Sequence, residues 1–183
     1  MTSNKKVALG IGATIIILYM LRTKLAQSLT NTSFGSLSDS LFNFIGGLEK
    51  FTPVAAWDYK QWSVGYGSGY NWDAKRPVQK GDVIDKATAK RWLLAEAQQN
   101  FDKVMAMVKV PITDNQLVAL SSFAYNAGNG ALQNSTLLSL LNDGADINTV
   151  AAQFDRWVYV GNPPQISPGL KNRRAAEKKL FLS

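Results

Sequence analysis

Fifteen consecutive uncharged residues, Val7 to Leu21 (VALGIGATIIILYML), stand between Lys5 and Lys6 on one side and Arg22 and Lys24 on the other. A helix made from them is apolar on every face, so water is a poor environment for it unless something covers it. At about 1.5 Å per residue the run reaches roughly 22 Å, against roughly 30 Å of hydrocarbon in a bilayer, and the basic side chains at both ends must snorkel to bridge the difference. A cleaved signal peptide needs a small-residue site, and the best candidate, near Ala26, is a weak one behind Arg22 and Lys24. A buried core helix is the third reading. The sequence favours an uncleaved membrane anchor, or signal-anchor, whose equal flanking charges do not orient it.

The anchor divides the chain. Residues 1–6 form a short basic N-terminus, and residues 22–40 are rich in Ser and Thr and read as a linker or stalk. Residues 41–183 remain for one globular domain, a size that buries an adequate core. Lys5, Lys6, Arg22 and Lys24 account for four of the seven net positive charges, so the domain itself is only mildly basic. That excess suits an anionic polymer such as a cell wall and does not call for nucleic acid.

The chain has no cysteine and no histidine. Disulfides, thiol nucleophiles, serine–histidine triads and the usual zinc ligands are therefore excluded, and no metal or other cofactor is implied. Chemistry falls to carboxylates, hydroxyls, amides, Lys and Arg.

Within the domain a short helix is expected over 41–50, then a hairpin: Val54 to Trp57, a polar turn at Asp58 to Gln61, and Trp62 to Gly67. Asp85 is placed to cap a long helix with Leu93, Ala97, Phe101, Val104 and Val108 at helical spacing, and Pro111 stops it. Thr113 and Gln116 make a capping-box spacing ahead of an apolar helix from Leu117 to Tyr125. Helices fit 135–142 and 148–158, the stretch Gly161 to Gly169 reads as a loop, and a basic helix over 170–182 closes the chain. The fold class is α+β, mainly helical: a small hairpin lobe joined to a helical lobe with a cleft between them, preceded by a transmembrane helix.

Glu49 ends the first helix, and Asp58 sits in the hairpin turn nine residues later with Ser63 on the returning strand. A helix end followed by a hairpin brings two carboxylates to one cleft, which glycoside hydrolysis requires: one acid protonates the leaving oxygen and one carboxylate serves water or attacks. Two solvated surface charges are the bland alternative.

Residues 44–182 resemble the phage lysozymes and endolysins of glycoside hydrolase family 24. The resemblance rests on Glu49, then WDYKQWSVGYG with Asp58, Ser63, Gly65 and Gly67. It continues through TDNQLVALSSFAYNAGNGALQNSTLLSLLN, AAQFDRWVYVG and PGLKNRRAAEKKLF, in family order. It implies a two-lobed lysozyme-like fold and a muramidase that hydrolyses the β-1,4 bond between N-acetylmuramic acid and N-acetylglucosamine in peptidoglycan, with inversion. Glu49 is then the general acid, Asp58 positions or deprotonates the water, and Ser63 stands where the family has Thr. Tyr125, Asn126 and Arg173 match cleft-facing family positions that meet substrate. The Asp58–Ser63 interval is one residue shorter than in the family, and Lys50 stands where the family usually has Gly, placed to bias the neighbouring acid.

Other residues read more simply. Gln116 is explained by its cap, and Arg174, Lys178 and Lys179 by a solvated helix face. Trp62 and Trp72 are candidates to stack on sugars, while Trp92 and Trp157 are candidates for the core. The expected setting is a monomeric catalytic domain held on the wall side of a membrane, in the periplasm or at the cell wall, serving a phage in host lysis or wall penetration. A virion-associated membrane is the alternative location. The competing functions are a lytic transglycosylase using Glu49 alone and an inactive wall-binding virion component.

Overall fold

A computed structural model of the protein describes residues 35, 37–58 and 61–183. The expected anchor at 7–21 lies outside the described residues. Among those described, no helix is long and apolar enough to cross a membrane.

The first helix, α1 (37–48), begins earlier than the expected 41–50. Leu37, Leu41 and Ile45 recur every fourth residue and are all buried, so the apolar stripe reaches back into what composition alone marks as linker. The hairpin follows as β1 (Thr52–Asp58) and β2 (Gln61–Gly65), antiparallel, with Ala56 opposite Ser63, Trp57 opposite Trp62 and Asp58 opposite Gln61. Paired residues share a face and alternate along the strand, so Ala56, Asp58, Gln61 and Ser63 point one way and Trp57 and Trp62 the other.

Two short strands, β3 (Tyr70–Asn71) and β4 (Arg76–Pro77), pair in the stretch between the hairpin and Asp85. Their connection to β1 is made by main chain: Ala55 N–H donates to Asp82 O at 2.8 Å and Ile84 N–H to Pro53 O at 2.9 Å. Ala55, Val64 and Val78 close a small core on Trp92, with Trp62, Trp72 and Ile84 packed at its edge.

Trp92 belongs to α2 (Lys86–Met107), capped by Asp85, whose carboxylate accepts from Thr88 N–H at 2.7 Å. Its buried face is Ala89, Trp92, Leu93, Ala97, Phe101 and Val104. The helix gives out at Met107, ahead of Pro111. At Gly65 the hairpin lies closest to this helix. Its φ of +71° is one that L side chains rarely adopt, and a Cβ there would sit 3.0 Å from both Ala89 Cβ and Ile84 Cδ1.

The helical lobe is built on α3 (Asp114–Ala127), opened by the full Thr113/Gln116 capping box and buried from Leu117 to Ala124. Short helices α4 (Asn129–Gln133), α5 (Thr136–Asn142) and α6 (Ile147–Ala151) follow, α4 against α3 and each of the others against the one before it. The single helix expected over 148–158 ends early: Ala152–Arg156 is 3-10, and Trp157 follows outside any helix, half-buried. The tighter 3-10 winding changes which side chains face inward, and Trp157 still meets Phe123 edge-on at 5.1 Å between ring centres. A two-residue pair, β5 (Tyr159–Val160) with β6 (Gln165–Ile166), occupies the expected loop, and α7 (Pro168–Phe181) ends the chain with Pro at the helix start. Phe123, Phe154 and Phe181 are fully buried in this lobe, each worth about 1.5–3 kcal/mol in transfer from water.

One expectation for α7 fails. Arg174 is not on a solvated face but is only 1% exposed, turned inward with Arg173 (5%) and Glu177 (0%). These positions share one helix face by spacing, and the opposite charges supply the partners that burial requires.

Candidate functional site

A cleft of about 630 Å³ is lined by Glu49 from the end of α1 and by Asp58, Gln61, Tyr66, Gly67, Gly69 and Tyr70 from the hairpin side. Glu96, Gln99 and Asn100 of α2 and Tyr125 and Asn126 of α3 complete it. Glu49 sits just past the last helical residue, its N–H still bonded to Ile45 O at 3.0 Å, so the rigid stripe of α1 fixes where its side chain leaves the backbone. Its carboxylate is held by Arg173 Nη1. The neighbouring Lys50 is exposed, and the cation that meets this acid comes from α7 instead.

Arg173 is itself gripped from behind. Its Nε donates to Glu177 Oε1 at 3.0 Å, and its Nη2 donates to the carbonyl and hydroxyl of Ser122, each at 3.2 Å. The Ser122 hydroxyl donates in turn to Glu177 Oε1 at 2.7 Å. Arg174 pairs with the same carboxylate, Nε to Oε2 at 2.9 Å, and extends Nη2 to Asn126 Oδ1 at 2.7 Å. Its guanidinium lies over the Phe123 ring, 4.7 Å from the centre. Burial pushes the Glu177 carboxyl up against the pull of both arginines, and burial draws Arg174 down to about 10, opposed by Glu177 and reinforced by Arg173.

Asp58 stands differently. It is exposed at the tip of β1, and its carboxylate makes neither a hydrogen bond nor an ion pair with the described residues. Ser63 shares its sheet face through the Ala56 pairing but is half-buried farther from the tip and is not among the cleft-lining residues. Of the residues expected to meet substrate, Tyr125 and Asn126 line the cleft, whereas Arg173 lies behind Glu49. Neither Trp62 nor Trp72 lines it. Tyr70, whose ring meets Trp72 edge-on at 5.4 Å, takes the aromatic place on the hairpin wall.

Glu96 is the residue that sequence reasoning missed. Its carboxylate accepts from the Ser68 hydroxyl, from Trp72 Nε1 at 3.1 Å and from the Tyr125 hydroxyl at 3.2 Å. Tyr125 also reaches Tyr66 O, at 3.3 Å. Burial, with the charges of Glu96 and Glu49, keeps the Tyr125 phenol far above its ordinary range, so it stays a neutral donor. Hairpin, α2 and α3 thus meet at one carboxylate. Its only signal in the sequence was an acid one turn from Trp92 on an otherwise apolar helix face. Among the described residues no cluster of three acidic side chains is placed to hold a metal.

Comparison with known proteins covers the same part of the chain. Residues 46–177 match the phage lysozyme family. The endolysin of Bacillus phage PZA is 41% identical over 144 residues, 79% of this chain and 53% of that one. The SAR-endolysin of Enterobacteria phage P21 is 32% identical over 107 residues, 58% of this chain and 63% of that one. The chain spans about half the length of the Bacillus phage endolysins it matches. Among solved structures, an endolysin from Escherichia coli O157:H7 phage FAHEc1 superposes with a TM-score of 0.73 at 31% identity, covering 78% of this chain and 90% of that one.

Proposed function

The chain belongs to the phage lysozyme family, and from that premise we propose that it is a peptidoglycan hydrolase, a muramidase that cuts the β-1,4 bond between N-acetylmuramic acid and N-acetylglucosamine. The observation that carries the reading is that two carboxyl residues, Glu49 from the end of α1 and Asp58 from the hairpin, line one cleft. Glu49 gives a proton to the glycosidic oxygen, and Arg173 then faces the carboxylate left behind. Asp58, open to solvent, serves the attacking water, with Ser63 on the same sheet face assisting by its hydroxyl. Attack from the wall opposite the acid inverts the anomeric carbon.

Tyr70 offers a ring face to a sugar. Asn126, whose amide oxygen is engaged by Arg174, presents its N–H groups to an acetamido carbonyl. Glycan strands bear many acetamido groups, and the amides of Gln61, Gln99 and Asn100 suit the same polymer.

The protein acts for a phage on the outer side of a membrane, anchored by residues 7–21. The composition of that segment and the likeness to a protein named as a SAR-endolysin support this. Digesting purified peptidoglycan with the full chain and identifying the sugar ends by mass spectrometry tests the reading. N-Acetylmuramic acid at new reducing ends is expected. Anhydro-muramic ends would make it a transglycosylase, and uncut glycan a binding protein.

A further inference from the structure

Glu177 is wholly buried, does not line the cleft, and is not used by the reaction described above. We propose that it is a positioning residue whose one carboxylate, through Arg173 and Arg174, orients both the acid Glu49 and the amide of Asn126. The inference rests on the reading of Glu49 as the acid.

The geometry is a fork. Glu177 Oε1 takes Arg173 Nε at 3.0 Å, which turns the far edge of that guanidinium, Nη1, onto Glu49. Glu177 also pairs with Arg174, whose Nε lies 2.9 Å from Oε2 and whose Nη2 donates to Oε1 at 3.2 Å, and the same Nη2 donates to Asn126 Oδ1 at 2.7 Å. A guanidinium is planar and rigid, so a bond from one of its nitrogens to a buried carboxylate, Nε in Arg173 and Nη2 in Arg174, limits where the others can point. Without the common carboxylate the two like-charged planes, both buried, repel and lose the reference that sets their angles.

Ser122 locks the arrangement. Because Arg173 can only donate, the Ser122 hydroxyl must accept from it and donate to Glu177, the sense seen at 3.2 and 2.7 Å. The chemical wall of the cleft and its sugar-reading amide are therefore set by one buried charge, and acid and amide keep a constant relation to each other.

Glu177→Gln in the full chain tests this. Turnover per folded molecule should fall by on the order of tenfold to a hundredfold, the scale of a small misplacement of the reacting group. KM should rise separately, and adding Asn126→Ala to Glu177→Gln should raise it no further, since the same contact is already lost. A merely structural role would lower Tm while leaving both constants, measured well below Tm, at wild-type values, and that result would overturn the proposal.

If Glu177→Gln does not fold, Ser122→Ala removes the lock without stranding a charge. It should lower kcat by about threefold, one hydrogen bond's worth. Unchanged kcat there also overturns the proposal. The Glu49 carboxyl carbon and the Asn126 side-chain amide, followed by NMR in the same variants, supply a readout independent of catalysis. Both resonances should move together, and two unmoved resonances reject the positioning role. A wild-type chain that cuts no peptidoglycan would instead reject the reading of function, and the resonances would still decide the role of Glu177.

Discussion

The two walls of the cleft hold their carboxyls in opposite ways. On the helical side Glu49 leaves the end of α1 and meets an arginine that is itself pinned by Glu177 and Ser122, so little about it is free to vary. On the hairpin side Asp58 stands at a strand tip, exposed, its place set by backbone register alone. An acid that must deliver a proton to one atom gains from a rigid mount, and a carboxylate that works through water tolerates a looser one. The contrast separates orientation made by buried charge from orientation made by strand pairing.

Breaking the rigid side should have the largest effect. Glu49→Gln keeps the shape and removes the proton, and it should lower the rate of peptidoglycan hydrolysis by on the order of a hundredfold to ten-thousandfold with Tm nearly unchanged. Activity within about twofold of wild type would remove Glu49 from the role of acid.

The looser side should respond in graded fashion. Asp58→Asn should cost about a hundredfold, and Ser63→Ala at most about tenfold, since the first removes a charge and the second one hydrogen bond. Ser63→Thr should be tolerated because the hydroxyl is kept. Equal losses in Asp58→Asn and Ser63→Ala, compared by steady-state kinetics, would contradict the idea that the water answers mainly to Asp58.

The junction between the walls comes next. Tyr125→Phe deletes the donor that α3 sends to Glu96 and to Tyr66 O, and should cost about 1–2 kcal/mol in chemical denaturation. An unchanged midpoint would show that the walls are joined elsewhere.

The smallest effect sharpens the hairpin side alone and appears only with pH. Two bonds from Arg76, at 2.7 and 2.8 Å, and the Gln79 N–H at 3.0 Å hold the Asp82 carboxyl well below the usual carboxylate range. A depressed carboxyl stabilises the fold above its unfolded pKa and loses that contribution as pH falls, here from about pH 4 downward. Asp82→Asn should therefore lower Tm at pH 7, with the gap to wild type closing below about pH 4. A gap that stays constant with pH would mean the ion pair contributes nothing to stability.

Much of this was legible in the sequence where one residue type does one job. Asp85 and the Thr113/Gln116 box announced their helices through local bonds that need no tertiary partner. That Glu49 stands at a helix end and Asp58 at a strand tip followed from pattern, whereas pairing them as a site rested on the family resemblance. Glu177 and Arg174 were not legible, because a charged helix face reads as solvated until something is known to pack over it, and here the cover is α3, some fifty residues earlier in the chain. Glu96 was hidden for the same reason: its donors come from two segments remote from it in the chain, Ser68 and Trp72 after the hairpin and Tyr125 in α3. The split of the expected 148–158 helix turns on 3-10 winding after Ala151, a choice made by packing rather than by composition.

Gly65 makes the hairpin a lever. Its fulcrum is the point where β2 rests on α2 with no room for a methyl group, against Ala89 and Ile84 at 3.0 Å. Its working end is the Asp58–Gln61 tip, roughly 13 Å away at about 3.3 Å per strand residue. A few tenths of an ångström of lift at the pivot becomes a larger swing at the tip, so a substitution away from the cleft would still move the Asp58 carboxylate relative to Glu49. The working gap of the cleft is in this sense gauged by a hydrogen atom at its far end.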